Sequence, residues 1–289
     1  GSCSGSDCDG SNLDQRNLRL LTREEYLNSV RDIFAIDFDS SLMGPVPADG
    51  RYRNFATASY LTADNDRTLG YELVAEQVAD IAIGQSGFLN LVNGCGDVPC
   101  VVDPLGFRLF RRPLQSAEIS RYAGLYSSDD DGRLALQAML MSPHFMYRSE
   151  LGVLDSESGL YRLDNYEVAT LLSYTFWTTT PDDTLLLAAT EENFDVAAQV
   201  DRLLADPRSE RGLRRFINGW LINNQYPFPA ISDTNLVAAF KEETVGFVLE
   251  NIRTNAPFAE LLSANYTWAN DQLAAHYGLD ATGSDWSIR

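Results

Sequence analysis

The sequence has few of the side chains that most catalytic and cofactor sites need. Its 289 residues include two histidines, His144 and His276, together with four cysteines and one lysine. No two cysteines have the CxxC spacing and none has a nearby histidine, which excludes the common zinc and haem c motifs. The sequence also has no glycine-rich phosphate loop and no nucleophile elbow. We therefore predict no metal-binding or cofactor-binding residue in this chain, and the pattern identifies no catalytic residue.

Positive charge is also scarce. The chain carries 22 basic and 41 acidic residues, a formal net charge of −19. Nucleic-acid binding depends on clustered Lys and Arg, so nucleic acid is excluded as a partner class. No apolar run approaches the length of a membrane-spanning helix. We therefore expect no membrane span.

The four cysteines lie in two close pairs, Cys3 with Cys8 and Cys95 with Cys100. Local pairing would give two small disulfide loops and would indicate an oxidising compartment. Cys3, followed by Ser-Gly-Ser, also fits the acylated cysteine of a lipoprotein, and this alternative competes with Cys3–Cys8 pairing. No signal peptide is visible, and we expect that a natural leader has been removed. The interpretation is an exported protein, leaving open the periplasm, the outer membrane as a lipoprotein, and the extracellular space.

Helix signals dominate the rest of the chain. Capping boxes open helices at Thr22–Glu25 and at Asp164–Glu167. Thr180-Pro181 and Asp206-Pro207 are typical of a cap followed by a first-turn proline. Residues 85–106 are predicted to be a loop. A helix over 64–83 is predicted to bury one face, formed by Leu69, Leu73, Val74, Val78 and Ile81.

These signals predict a mainly α fold, a multi-helix orthogonal bundle in two or three packed modules with little or no sheet. Residues 1–14 are small and polar, and we expect a flexible linker there. The predicted modules are an N-terminal module over 15–94, a middle module over 95–155 and a C-terminal module over 156–289.

Each candidate for chemistry also has a structural interpretation. His144 and His276 are each flanked by aromatic residues and lack partners at ligand spacing, which favours packing over metal binding. The run 129–132 (DDDG) resembles a calcium loop, but Ser127 and Ala138 stand where ligands are required. The stretch 107–114 (FRLFRRPL) interleaves arginines with aromatics, which favours Arg–carboxylate pairs whose stems pack on aromatic faces. We expect the same role for four further residues, Arg31, Arg148, Asp182 and Asp183.

Several strings together resemble one family. They occur in the family's order and cover residues 15–285, and Thr175 and Thr178–Thr180 depart from its pattern. The strings are residues 21–32 (LTREEYLNSVRD), 107–114 (FRLFRRPL), 140–148 (LMSPHFMYR), 172–177 (LSYTFW), 181–183 (PDD), 200–207 (VDRLLADP) and 273–278 (LAAHYG).

The chain is identified as a member of the planctomycete-type, cytochrome-associated family built from domains of unknown function, with its 1587, 1595 and 1592 modules. The resemblance implies an exported protein, with haem c held by a C-terminal CxxCH-bearing region (the 1588 and 1585 modules) that we expect beyond Arg289. It implies electron transfer during extracellular polysaccharide breakdown, and as partners the haem region or a separate redox protein, with polysaccharide as a further candidate. The residues singled out as structural motif positions are Arg31, Asp32, Arg111, Arg112, Arg148, Trp177, Asp182 and Asp183.

Two functions from different classes remain open. One is a non-catalytic scaffold or interaction region that supports a haem domain. The other is an enzyme in its own right, an oxidoreductase or a carbohydrate-active protein with a pocket of aromatic and carboxylate side chains. Carboxylates with raised pKa in a concave pocket would favour the enzyme.

Overall fold

A computed structural model describes residues 17–52, 55–57, 63–126, 132–222, 231, 233–280 and 285–289. The chain is mainly α-helical, as predicted, and the sheets among these residues are all two-stranded. It divides into two compact units, unit 1 with residues 1–50 and 57–209 and unit 2 with residues 51–56 and 210–289. The three predicted modules stay a prediction. The linker 1–14, Cys3, Cys8 and the run 129–131 lie outside the described residues.

Unit 1 contains most of the helices. The capping box predicted at Thr22 opens the first of them, where the Thr22 amide donates to Glu25 Oε2 at 2.9 Å. The helices are α1 (Arg23–Phe34), α2 (Asn65–Ala82), α3 (Ser86–Leu91), α4 (Val98–Phe110), α5 (Ser116–Ala123), α6 (Arg133–Leu140), α7 (Pro143–Met146), α8 (Asn165–Phe176), α9 (Asp183–Ala188) and α10 (Val196–Ala205).

Short strands connect parts of unit 1. The first, β1 (Asn17–Leu20), pairs antiparallel with β4 (Tyr147–Glu150), with Leu20 opposite Tyr147. The hairpin of β5 (Val153–Leu154) and β6 (Tyr161–Arg162) follows directly. Two more strands, β2 (Gly50–Tyr52) and β3 (Phe55–Thr57), pair with each other and belong mostly to residues 51–56 of unit 2.

The main core of unit 1 gathers apolar side chains of α1, α2, α4, α6 and α7. Tyr26 lies at its centre, with ring centroids 5.1 Å from Tyr71 and 5.0 Å from Phe145. A smaller core surrounds the fully buried Trp177. Burial of such large aromatic side chains contributes strongly to stability.

Unit 2 is built on one long helix. It contains α11 (Ser209–Leu221, from Glu210 onward), α12 (Thr234–Arg253), α13 (Glu260–Ser263) and α14 (Asp271–Tyr277), with β7 (Trp268–Ala269) antiparallel to β8 (Ser287–Ile288). Its apolar core joins α11 to α12 through Ile217, Val245 and Leu249. Gly278 ends α14 in the left-handed conformation, with φ of 71°. None of the described helices is long and apolar enough to cross a bilayer.

Four local predictions are wrong. Much of 85–106 is helical: α3 and α4 form there, and α4 contains Pro104 in its interior. The cap of α9 is Asp182 rather than Thr180. Asp206 ends α10, and α11 begins only at Ser209. Of the predicted buried face of α2, three residues are exposed to solvent, Leu69, Leu73 and Ile81.

The second cysteine pair is bonded as predicted, because Cys95 and Cys100 form a disulfide. The bond spans the start of α4, where the Asp97 side chain accepts a hydrogen bond from the Cys100 amide at 2.9 Å. A covalent link and a helix cap thus fix the same turn.

Candidate functional site

Arg111 lies directly after α4 with a buried guanidinium. The residue has a left-handed backbone, with φ of 59°. Burial lowers its pKa, yet a guanidinium stays protonated, so the charge must be solvated by the protein. Oxygen atoms of α4, α7, β4 and α8 do so. Nη2 donates to the carbonyls of His144, Phe145 and Tyr147 at 2.7, 3.1 and 2.7 Å, and Nη1 to Leu109 O at 3.1 Å and Tyr174 Oη at 3.5 Å.

Arg148 lies beside this cluster. Its guanidinium carbon is 5.1 Å from the Tyr174 ring centroid, and its Nη1 is 4.0 Å from Glu25 Oε1. Tyr174 Oη is in turn 2.8 Å from Ser29 Oγ. We call Arg111, Arg148, Tyr174 and their hydrogen-bond partners the Arg111 cluster. It connects α1, α4, α7, β4 and α8, so the arginines of two sequence motifs hold the fold of unit 1.

A cleft of about 420 Å³ opens next to the Arg111 cluster. Its wall is largely apolar and aromatic, with Phe110, Tyr147 and Tyr166 among the lining residues. His144 and Arg112 lie on the same wall, and the His144 ring is half-exposed. A concave, mostly apolar cleft with a few polar groups is the usual form of a ligand site.

The His144 ring lies against the Arg112–Glu118 pair. Nδ1 is 3.3 Å from Arg112 Nη2, and Nε2 is 3.3 Å from Glu118 Oε1. Because a guanidinium can only donate, Nδ1 is the acceptor in its contact with Arg112. This contact favours the neutral Nε2–H tautomer, in which the Nδ1 lone pair faces Arg112.

The charges around His144 stabilise this state. Arg112 donates to both Glu118 oxygens, at 2.9 and 2.8 Å, and these hydrogen bonds lower the pKa of Glu118 to about 2. Burial, assisted by Arg112, lowers the pKa of His144. At neutral pH, Glu118 is charged and His144 is neutral. Glu118 thus has no proton to give at neutral pH, and the Nδ1 lone pair of His144 faces a guanidinium.

A second cluster surrounds Trp177 in the smaller core. The indole Nε1 donates to Leu203 O at 2.9 Å. The guanidinium carbons of Arg208 and Arg202 lie 3.5 and 5.4 Å from the ring centroid. Cation–π contacts at these distances stabilise half-buried arginines.

Asp182 links the two arginines of this cluster. It accepts from Arg202 Nη1 and Nη2 at 2.9 and 3.0 Å and from Arg208 Nη2 at 3.0 Å, while Asp206 also binds Arg208. Burial alone would raise the pKa of Asp182, but these bonds and the Leu185 amide outweigh it and lower the pKa. We call Trp177, Arg202, Arg208, Asp182 and Asp206 the Trp177 cluster.

Family models match three stretches of the chain. They are described as Protein of unknown function (DUF1587), over residues 19–84, Protein of unknown function (DUF1595), over 98–150, and Protein of unknown function (DUF1592), over 163–279. The chain therefore contains these three domains of unknown function. No curated protein and no solved structure matches it. The Arg111 cluster joins all three matched stretches, and the Trp177 cluster lies within the DUF1592 stretch.

Two of the three remaining motif residues line a polar cleft of about 340 Å³. Asp32 of the DUF1587 stretch and Asp183 of the DUF1592 stretch line it, and Asp183 Oδ2 is 2.5 Å from Arg108 Nη2. Arg31 instead donates from Nε to Phe38 O at 2.8 Å. No group of three or more potential ligands among His, Cys, Asp and Glu is found in the described ranges.

Sequence reasoning did not single out Glu118, Arg202 or Arg208. Signals existed for each: Glu118 closes a capping box with Gln115, Arg202 lies in the motif 200–207, and Arg208 follows it. The sequence also gave no indication of the left-handed backbone at Thr178, a buried β-branched residue with φ of 60°. Its carbonyl accepts from Asn28 Nδ2 at 3.2 Å. Such strain persists only where the surrounding structure fixes the chain.

Proposed function

We propose that this chain is an exported, non-catalytic helical scaffold of a haem c-associated redox protein that acts in extracellular polysaccharide breakdown. One observation carries the scaffold role: the motif arginines, Trp177 and Asp182 bind other parts of the same chain. Side chains used in this way stabilise a rigid body and leave little capacity for chemistry.

The electrostatics of the His144 cleft support a scaffold over an enzyme. General acid–base catalysis needs a group whose pKa is tuned towards the working pH. The pKa of Glu118 is instead lowered away from neutral pH, and Nδ1 of His144 faces Arg112. An enzyme that used His144 as a general base through Nδ1 would have to move Arg112 first.

Export and the redox role rest on other support. The Cys95–Cys100 disulfide favours an oxidising compartment. The haem partner comes from the family resemblance, in which a CxxCH-bearing region carries haem c. In this proposal haem c is held outside residues 1–289, by such a region or by a separate redox protein.

A visible spectrum of the natural gene product tests the redox role. The protein is purified from the exported fraction of its own host and reduced with dithionite. A sharp haem c α-band that co-purifies with this chain is the expected result. Recovery of the complete gene product without haem, and without a haem-bearing partner, would overturn it.

A further inference from the structure

A half-open groove of about 360 Å³ lies in unit 2, lined by residues of α11 and α12 and of the segment around α13. Aromatic side chains form much of its wall, namely Trp220, Phe247 and Phe258. Phe258 is 68% exposed and Leu262, on the same groove, is 86% exposed. Apolar concave surfaces of this size are where small molecules bind.

One carboxylate lies on this apolar wall. Glu243 Oε1 accepts from Thr267 Oγ1 at 2.5 Å, and Oε2 accepts from Tyr277 Oη at 2.8 Å. Both donors are neutral hydroxyl groups. Burial and the bond to Glu243 raise the pKa of Tyr277 to about 12, so the phenol keeps its proton. Among the residues that the structure describes, no cation lies within ion-pair distance of Glu243.

The neighbouring carboxylates of unit 2 differ from Glu243 in this respect. Both oxygens of Glu242, the preceding residue, accept from Arg214 Nη1 at 2.9 Å. Glu210 binds Arg214 and Arg253, at 2.7 and 2.6 Å. Arg214 and Arg253 are therefore already paired with other carboxylates, and neither lies within ion-pair distance of Glu243.

We propose that this groove binds a small organic cation, an ammonium group carried on an apolar body. The apolar body would fill the groove, and the ammonium would lie between the Glu243 carboxylate and the faces of the aromatic rings. Carboxylates and aromatic faces both attract cations, and the aromatic contribution grows when the site is partly desolvated. A neutral molecule of the same shape would gain the apolar contacts alone. This inference does not depend on the proposed scaffold function.

Two probes of equal shape test the charge requirement. The whole 289-residue chain is titrated by calorimetry with 2-phenylethylammonium chloride and, separately, with 2-phenylethanol. The expected result is that the ammonium binds about tenfold more tightly than the alcohol. Equal affinities for the two probes, or no binding of either at millimolar concentration, would overturn the proposal.

Matched variants locate the cation. Glu243→Gln should weaken the ammonium about tenfold and leave the alcohol unchanged, whereas Glu242→Gln, next to it in sequence but paired with Arg214, should change neither. Leu262→Arg places a cation at a side chain that is 86% exposed, so the fold should persist while ammonium binding alone falls. The proposal fails if Glu242→Gln matches Glu243→Gln, or if Leu262→Arg leaves ammonium binding unchanged.

Discussion

The two arginine clusters of unit 1 stabilise their surroundings by different means. In the Arg111 cluster, a buried cation is solvated mainly by backbone carbonyls of α4, α7 and β4. In the Trp177 cluster, half-buried arginines share carboxylates and lie over an indole ring. Carbonyl acceptors cannot be titrated, whereas carboxylates can. Breaking the first cluster should therefore lower the free energy of unfolding strongly at any pH. Breaking the second should lower it by less, and by an amount that depends on the protonation of its carboxylates.

Removal of the Arg111 side chain should have the largest effect. Arg111→Met leaves several buried carbonyls without a donor, and Arg111→Lys restores the charge but not the forked geometry. We expect each variant to lower the free energy of unfolding by about 3–5 kcal/mol, with Lys the milder. Urea denaturation followed by circular dichroism measures this loss.

Arg133→Met is the matched control, because Arg133 is about half-exposed in its pair with Asp80. Exposed ion pairs contribute about 0–1 kcal/mol. If Arg111→Met lowered the free energy of unfolding no more than Arg133→Met does, the hydrogen bonds of Arg111 to backbone carbonyls would not stabilise unit 1.

The Trp177 cluster is tested by Asp182→Asn. Asparagine still caps a helix but has no charge for Arg202 and Arg208, so we expect a loss of about 1.5–3 kcal/mol in unfolding free energy. Asp195 caps α10 in the same way, through the Ala198 amide at 3.0 Å. Asp195→Asn should therefore be close to neutral. Equal effects of the two variants in thermal denaturation would mean that Asp182 acts only as a cap.

Much of this architecture could be predicted from local sequence. The capping boxes at Thr22 and Asp164 predict the start of α1 and α8 because all the interacting atoms lie within one turn. The prediction of a loop over 85–106 failed where α4 forms. An interior proline usually breaks a helix, but tertiary packing tolerates Pro104 inside α4.

The two arginine clusters could not be predicted from local sequence. The carbonyls that accept from Arg111 Nη2 lie 33 to 36 residues further along the chain, and carbonyls carry no sequence signal. Pairing of arginines with carboxylates was expected for the stretch 107–114, and Arg112 and Arg108 show it with Glu118 and Asp183. Arg111 does not pair with a carboxylate, because its guanidinium is buried among the ends of helices and a strand.

The Cys95–Cys100 disulfide lies at the start of α4, whereas Arg111 follows the end of this helix. Loss of the Cys95–Cys100 bond frees a loop of sequence separation 5, for which chain entropy predicts a cost of about 2 kcal/mol. The double variant Cys95→Ser, Cys100→Ser should show this loss in thermal denaturation. Cys95→Ser alone should lose as much, since the bond needs both sulfurs. A double variant as stable as the parent would show that the cap at Asp97 suffices.

The pH response of Glu118 distinguishes a carboxylate acceptor from the carbonyl acceptors of Arg111. Its pKa is about 2 in the folded chain and starts from 4.5, so its contribution is complete above 4.5 and is lost as pH falls towards 2. The stability gap between the parent and Glu118→Gln should narrow over that range. The gap for Arg111→Met should stay nearly constant, because carbonyls do not titrate. Urea titrations at several pH values measure both gaps. If the two gaps narrowed in parallel, arginines paired with carboxylates would not differ from arginines bound by carbonyls in their pH response.

The protonation state of His144 tests the proposed non-catalytic role most directly, since that role requires the Nδ1 lone pair to face Arg112 and not to serve as a general base. ¹⁵N NMR of the imidazole, assigned with His144→Gln, reports both tautomer and pKa. The account predicts the neutral Nε2–H form at pH 7 and titration below the ordinary value of 6.5. A ring that is protonated at pH 7, or that exchanges freely between tautomers, would contradict it.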